Sequence, residues 1–165
     1  HVDAVTGACF GIRTALWQQL GGFDEGFLNG SEDVDLCLRA NSAGFTNYVA
    51  LASVVLHHVS QSKGRKLRDE QNSARLAERW AGKIPSLATR AWSRQQIIAH
   101  ADQSHVFDYA MIYSALAHVV GRRPANPLVQ AGTRDAFETE RQRWRELLHG
   151  APALPAPPAT RTAAI

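Results

Sequence analysis

The stretch Gly21-Gly-Phe-Asp-Glu-Gly-Phe-Leu-Asn-Gly-Ser-Glu-Asp-Val-Asp-Leu-Cys-Leu-Arg39 constrains the fold more than any other part of this chain, because a glycine-rich turn runs straight into a helix start. Ser31, Glu32 and Asp33 stand just ahead of the apolar spacing Val34, Cys37, Leu38, the pattern of a helix N-terminus. Five acids fall between Asp24 and Asp35. Carboxylates delivered to the junction of a loop and a rigid element suit an active-site base. The same pattern has a purely stabilising reading. Acids in a first helical turn interact with the unpaired N–H groups and the helix dipole, by about 0.3–1 kcal/mol each. Asp35 has a partner of its own, since Arg39 lies four residues later in the favourable orientation for an ion pair. Glu32 and Asp33 have no such local partner.

Other blocks place this stretch in a wider order. Val5-Thr-Gly-Ala-Cys-Phe-Gly-Ile-Arg13 comes first and Gly21-Gly-Phe-Asp-Glu25 second. Glu32-Asp-Val-Asp-Leu-Cys-Leu-Arg39 follows with Ala43-Gly-Phe45, and then Val54-Val-Leu-His-His58 with Ser62. With these four blocks in sequence, the chain from Val2 to about Pro85 resembles the C-terminal half of the family 2 glycosyltransferases. These are nucleotide-sugar-dependent enzymes of GT-A fold that build bacterial surface polysaccharides. The resemblance implies an α/β architecture, with residues 1–85 as the C-terminal half of a GT-A domain. A helical extension is expected over 86–150 and a Pro/Ala-rich flexible tail or linker over 151–165, where four of the seven prolines lie.

A chain of 165 residues is long enough for one ordinary domain but short for a whole GT-A enzyme. It opens at His1, and its one methionine is Met111. The expectation is therefore a fragment. In the family, the N-terminal half holds the nucleotide and carries a metal-binding Asp-X-Asp; the match found here, Asp33-Val-Asp35, belongs to the helix block. No Gly-X-Gly-X-X-Gly or P-loop pattern appears. The chain is expected to carry the acceptor side and the base without most of the donor site, and to be inactive alone.

Glycosyl transfer needs a group to take the proton of a poorly nucleophilic hydroxyl, and a carboxylate within hydrogen-bond reach can do so. The resemblance makes Asp33 the general base of an inverting single displacement, with Glu32 orienting the acceptor. Adjacent residues on a helix point about 100° apart and cannot both face one hydroxyl. Thr6 and Gly7 match the block that lines the acceptor pocket in the family, although a glycine in a strand can equally mark a bulge. His57 matches a family histidine that completes a Mn²⁺ or Mg²⁺ site; its structural alternative is a histidine hydrogen-bonded at a strand end. Ser62, Lys63 and Arg65 lie in a polar, basic loop suited to a donor diphosphate, or to plain solvation. The implied partners are a nucleotide-diphosphate sugar and a glycan or lipid-linked acceptor.

Charge is unevenly spread. Residues 1–50 hold two basic and six acidic side chains, and residues 51–100 hold nine and three. An acidic segment beside a basic one fits a carboxylate base working near an anionic diphosphate. Nucleic acid is disfavoured as a partner, because the basic residues from Lys63 to Lys83 are not interleaved with stacking aromatics and match no nucleic-acid module. Cys9 and Cys37 sit among apolar neighbours, as buried small hydrophobes do, and fit a reducing cytoplasm. No run reaches the roughly 18 apolar residues of a membrane span, so membrane contact, if made, would be peripheral.

Extended segments are predicted over Val2–Val5, Ala8–Ile12, Phe45–Val49 and Ser53–His57. Helices are predicted over Thr14–Leu20, Ser31–Ala43, Leu67–Ala81, Ser93 to about Val120, and Arg134–Leu148. The tryptophans at 17, 80, 92 and 144 fall in or beside helices, where packing is their expected role. Two other functional classes are consistent with these observations. One is a GT-A-like module that docks glycans or partner enzymes without catalysis. The other, a metal-binding domain using His57, His58, Cys9 and Cys37, fits no zinc spacing.

Overall fold

The computed structural model describes residues 2–56, 68–102 and 109–149. The described residues carry six helices: α1 (Thr14–Leu20), α2 (Glu32–Ser42), α3 (Asp69–Arg79), α4 (Ile84–Asp102), α5 (Tyr109–Val119) and α6 (Pro127–Leu147). They divide into two compact units, one reaching to Leu76 and the other spanning Ala77–Leu147.

The first unit is organised by its glycine turn. Gly21 and Gly22 both take the left-handed conformation (φ 76° and 71°), and their N–H groups donate to the Gln18 and Trp17 carbonyls to close α1. A side chain at Gly22 would overlap the Trp17 indole, which fills that space. Phe23 meets the same indole edge-on, ring centroids 5.0 Å apart. The turn is locked from α2, where Arg39 donates to the carbonyls of Leu20 (2.6 Å) and Gly22 (2.7 Å). Arg39 also donates to Asp35 at 2.8 Å, as the four-residue spacing predicts. Phe27, Leu36, Cys37, Leu38 and Ala40 are the buried apolar residues in the described part of this unit.

The loop between α1 and α2 is tied to α3. Asp24 accepts the Gly26 N–H in a local turn (2.9 Å) and pairs with Arg75 at 2.9 Å. The Arg75 guanidinium also covers the Phe27 ring at 5.2 Å. Asn72, 1 % exposed, accepts the Leu28 N–H (3.2 Å) and donates to the Leu28 carbonyl (2.9 Å).

In the second unit α4 packs against α5 and α6. Buried positions are small: Ala115 and Ala117 on α5, Ala125 before α6, Thr89 and Ser93 on α4. Small residues let helices approach closely, and here the hydroxyls are satisfied: Thr89 shares a 2.7 Å bond with Thr133, and Ser93 donates back to the Thr89 carbonyl.

Four expectations differ from what the described residues show. The α/β reading is not met among the described residues, which contain no strand, only an isolated antiparallel bridge between Val2 and Asn47. A β-rich segment becomes a strand only when a neighbour supplies the ladder, and Val54, Val55 and Leu56 stand exposed without one. The single helix expected from Ser93 to Val120 is two helices, the first starting at Ile84. The last helix begins at Pro127, seven residues before its expected start at Arg134. Asn126 accepts the Leu128 N–H at 2.9 Å, so Asn126-Pro127 is a legible start signal of the cap-then-proline kind. Cys37 is buried, but Cys9 is exposed.

Candidate functional site

The five clustered acids separate into distinct roles. Asp24 and Asp35 are buried (3 % and 0 % exposed) and each pairs with an arginine. Glu25 is exposed. Glu32 and Asp33 open α2, and they are the two for which the sequence offered no local partner.

α2 starts in an unusual way. Ser31, at the N-cap, has φ 72° and makes no side-chain capping bond, and Asn29 has φ 58°. Left-handed backbone at a non-glycine residue is uncommon and costs energy, less for asparagine. The cap role passes to Asp33, whose Oδ1 accepts the Val34 N–H at 2.8 Å. Its other oxygen, Oδ2, accepts the Gly7 N–H at 2.5 Å across 26 residues of sequence. Each carboxylate oxygen can accept more than one hydrogen bond, so the half-buried Asp33, held at both oxygens, keeps further acceptor capacity.

Gly7 can approach this closely because it lacks a side chain. A Cβ there would lie 3.1 Å from the Asp33 Cβ and 3.3 Å from Oδ2. Thr6 shapes the same bend, its hydroxyl accepting the Ala8 N–H at 3.4 Å. Glu32 differs from its neighbour: its Oε2 is buried and has no hydrogen-bond partner among the described residues. A buried acceptor without a donor is costly, and it is suited to receive a donor from outside the chain.

Thr6, Gly7, Glu32 and Asp33 are thus gathered where the segment before α1 meets the first turn of α2. His57, Ser62, Lys63 and Arg65 lie outside the described residues. Among the described residues no group of three or more His, Cys, Asp or Glu side chains is placed to hold a metal ion. No helix among them is long and apolar enough to cross a membrane. Sequence reasoning missed the residues that hold the Gly7 segment against α2, Cys37 and Asn41. Their signal was present in the four-residue spacing from Asp33, which puts all three on one helix face.

Residues 1–83 match the family model described as glycosyltransferase like family 2, half of the chain, and the protein belongs to that family. Over 64 residues it is 39% identical to the N-acetylglucosaminyl-diphospho-decaprenol L-rhamnosyltransferase of Mycobacterium tuberculosis (strain ATCC 25618 / H37Rv), a match covering 39% of this chain and 21% of that protein. Over 60 residues it is 38% identical to the O-antigen biosynthesis protein RfbC of Myxococcus xanthus, covering 36% of this chain and 5% of that protein. The chain therefore spans about a fifth of the first relative's length and much less of the second. No solved structure matches it. The family implies a GT-A fold, and its members generally use divalent metals.

Proposed function

We propose that the chain carries the acceptor side of an inverting glycosyltransferase site, with Asp33 as general base. The observation that supports this most is the carboxylate itself: it opens α2 inside the family-matched region and is gripped at both oxygens by backbone N–H groups. Those bonds fix its orientation, and no cation pairs with it among the described residues. In the proposed reaction an Asp33 oxygen takes the proton of the acceptor hydroxyl as that hydroxyl oxygen bonds to the anomeric carbon. The bond from that carbon to the nucleoside diphosphate breaks on the opposite face, and the diphosphate leaves with the electron pair. Configuration inverts. Glu32 Oε2, buried and without a donor, would accept from a second acceptor hydroxyl, and Thr6 and Gly7 would line the same pocket.

On this reading residues 1–85 are the C-terminal half of a GT-A domain, with 86–150 an extension and 151–165 a tail. Ser62, Lys63 and Arg65 would contact the donor diphosphate. Mn²⁺ or Mg²⁺ would be the cation, with His57 the ligand this chain offers. The relatives' names favour a lipid-linked glycan acceptor in polysaccharide synthesis, and on this reading the chain would meet it by peripheral contact at the inner face of the membrane.

The test is Asp33→Asn in the intact protein, assayed by transfer from nucleotide sugars to polyprenyl-diphosphate-linked glycans. Loss of a positioned base costs about 10²–10⁴-fold in kcat, with the circular dichroism spectrum and Tm unchanged. Turnover within a few fold of wild type would overturn the assignment.

A further inference from the structure

We propose that Asn41 and Cys37 are positioning residues for Asp33, acting through the segment Asp3–Gly7, which they hold against α2 as a strap. The inference rests on the reading of Asp33 as base. Three contacts join the two elements in antiparallel order. Asn41 Nδ2 donates to the Asp3 carbonyl at 2.8 Å. Cys37 engages both backbone groups of Val5, accepting its N–H at 3.5 Å and donating to its carbonyl at 3.9 Å. Asp33 accepts the Gly7 N–H at 2.5 Å.

The spacing explains why the register holds. Every second strap residue meets every fourth helix residue. Two extended residues advance about 6.6 Å, and four helical residues advance about 6.0 Å. Three rungs therefore stay in phase with a mismatch of about half an ångström per step.

The far end is anchored twice. Asn47 Nδ2 lies within bonding distance of the Asp3 carbonyl (3.1 Å) and of Asn41 Oδ1 (3.0 Å). Val2 donates its N–H to the Asn47 carbonyl at 2.9 Å. Burial, the larger influence, and the nearby Asp33 charge raise the Cys37 thiol above its ordinary value, while the Val5 hydrogen bond acts the other way. Cys37 thus stays protonated and keeps the S–H that its rung requires.

The consequence falls on the carboxylate. Asp33 Oδ2 is aimed by one N–H, and where that N–H stands is decided two helical turns away by Asn41 and midway by Cys37. A base displaced by a fraction of an ångström loses much of its effect, because proton transfer and attack need near-attack geometry.

The test combines exchange and kinetics on the intact protein. Asn41→Leu keeps the side chain's size but removes the amide. It should speed hydrogen exchange at the Gly7 amide and lower kcat about 10-fold while leaving the KM for the nucleotide sugar unchanged. Cys37→Ala should do the same more weakly, and Cys37→Ser, which keeps a donor and an acceptor, should restore the rate. Added to Asp33→Asn, Asn41→Leu should lower kcat no further, the signature of a residue acting through the base. Gly7→Ala, which presses on Asp33 directly, reports on the last rung if Asn41→Leu does not fold. Unchanged Gly7 exchange in Asn41→Leu would overturn the strap whatever the chemistry of Asp33. Faster exchange with unchanged kcat would overturn the positioning role. An active Asp33→Asn would remove the base reading, and the positioning role with it, while the exchange result still decides the strap.

Discussion

Among the described residues, the ion pairs of the first unit join buried aspartates to arginines, whereas those of the second join half-exposed glutamates to arginines. Asp24 and Arg75 are 2 % and 10 % exposed at their side chains, and Asp35 and Arg39 are 0 % and 11 %. In the second unit Glu78 is 51 % exposed against Arg141 and Arg145, and the Glu140–Arg143 pair is about half exposed on both sides. Removing one member of a buried pair leaves a charge in a medium that solvates it poorly, which costs about 3–5 kcal/mol. An exposed pair trades its Coulomb gain against side-chain entropy and hydration, for about 0–1 kcal/mol net. The first unit therefore uses charge to fix the loop that leads into α2, whereas the second uses it on a surface between helices already packed through small residues.

The largest effect expected from this contrast is at Arg75. Arg75→Met should destabilise the protein by about 3–5 kcal/mol, because it removes one member of a buried ion pair. Chemical denaturation measures it, and a loss below about 1 kcal/mol would place this pair with the surface ones. Asp24→Asn combined with Arg75→Met should cost less than the two single changes added, since the stranded charge is gone.

Asn72 sharpens the comparison with an uncharged group. Asn72→Ala removes both bonds to the Leu28 backbone and should cost about 1–3 kcal/mol in the same denaturation experiment. A neutral result would mean that water takes over at Leu28 and that charge, not hydrogen bonding, holds the loop.

The smallest effect is expected at Glu78. Its carboxyl is held below the usual glutamate range, chiefly by the Arg141 hydrogen bond, with burial opposing and the Arg141 and Arg145 charges assisting. A depressed folded value means the contribution is present above the ordinary value of about 4.3 and is lost as pH falls through the depressed one. Glu78→Gln should thus cost under about 1 kcal/mol at neutral pH, and the difference from wild type should vanish in acid. A larger neutral-pH loss, or a difference that persists at low pH, would break the contrast between the units.

How much of this was legible beforehand depended on the range of the interaction. α1 ends at the glycine pair where the pattern placed its end, and α2 starts one residue from the expected position, because helix signals lie within a few adjacent residues. The Asp35–Arg39 pair was readable for the same reason. The start of α6 was missed although Asn126-Pro127 announces it, the consequence of following apolar periodicity ahead of capping chemistry. The expected strands were not met among the described residues, since β-branched composition says that a segment would fit a sheet and says nothing of whether a partner strand is supplied. At the candidate site, Asp33 and Glu32 were legible from the helix start and Gly7 from the family block. The partnership of Gly7 with Asp33 was not.

By itself, then, the sequence determined the positions of the short-range elements, the ordered blocks that place residues 1–83 in a glycosyltransferase family, and the carboxylates at the head of α2. Tertiary structure decided what Asp24 and Asp33 do. Asp24 is separated from its arginine by 51 residues and Gly7 from Asp33 by 26, distances at which no local propensity acts. Asp24 became a buried strut and Asp33 a candidate base because folding brought a distant guanidinium to the first and a distant backbone N–H to the second, whereas Asp35 met its arginine one helical turn away.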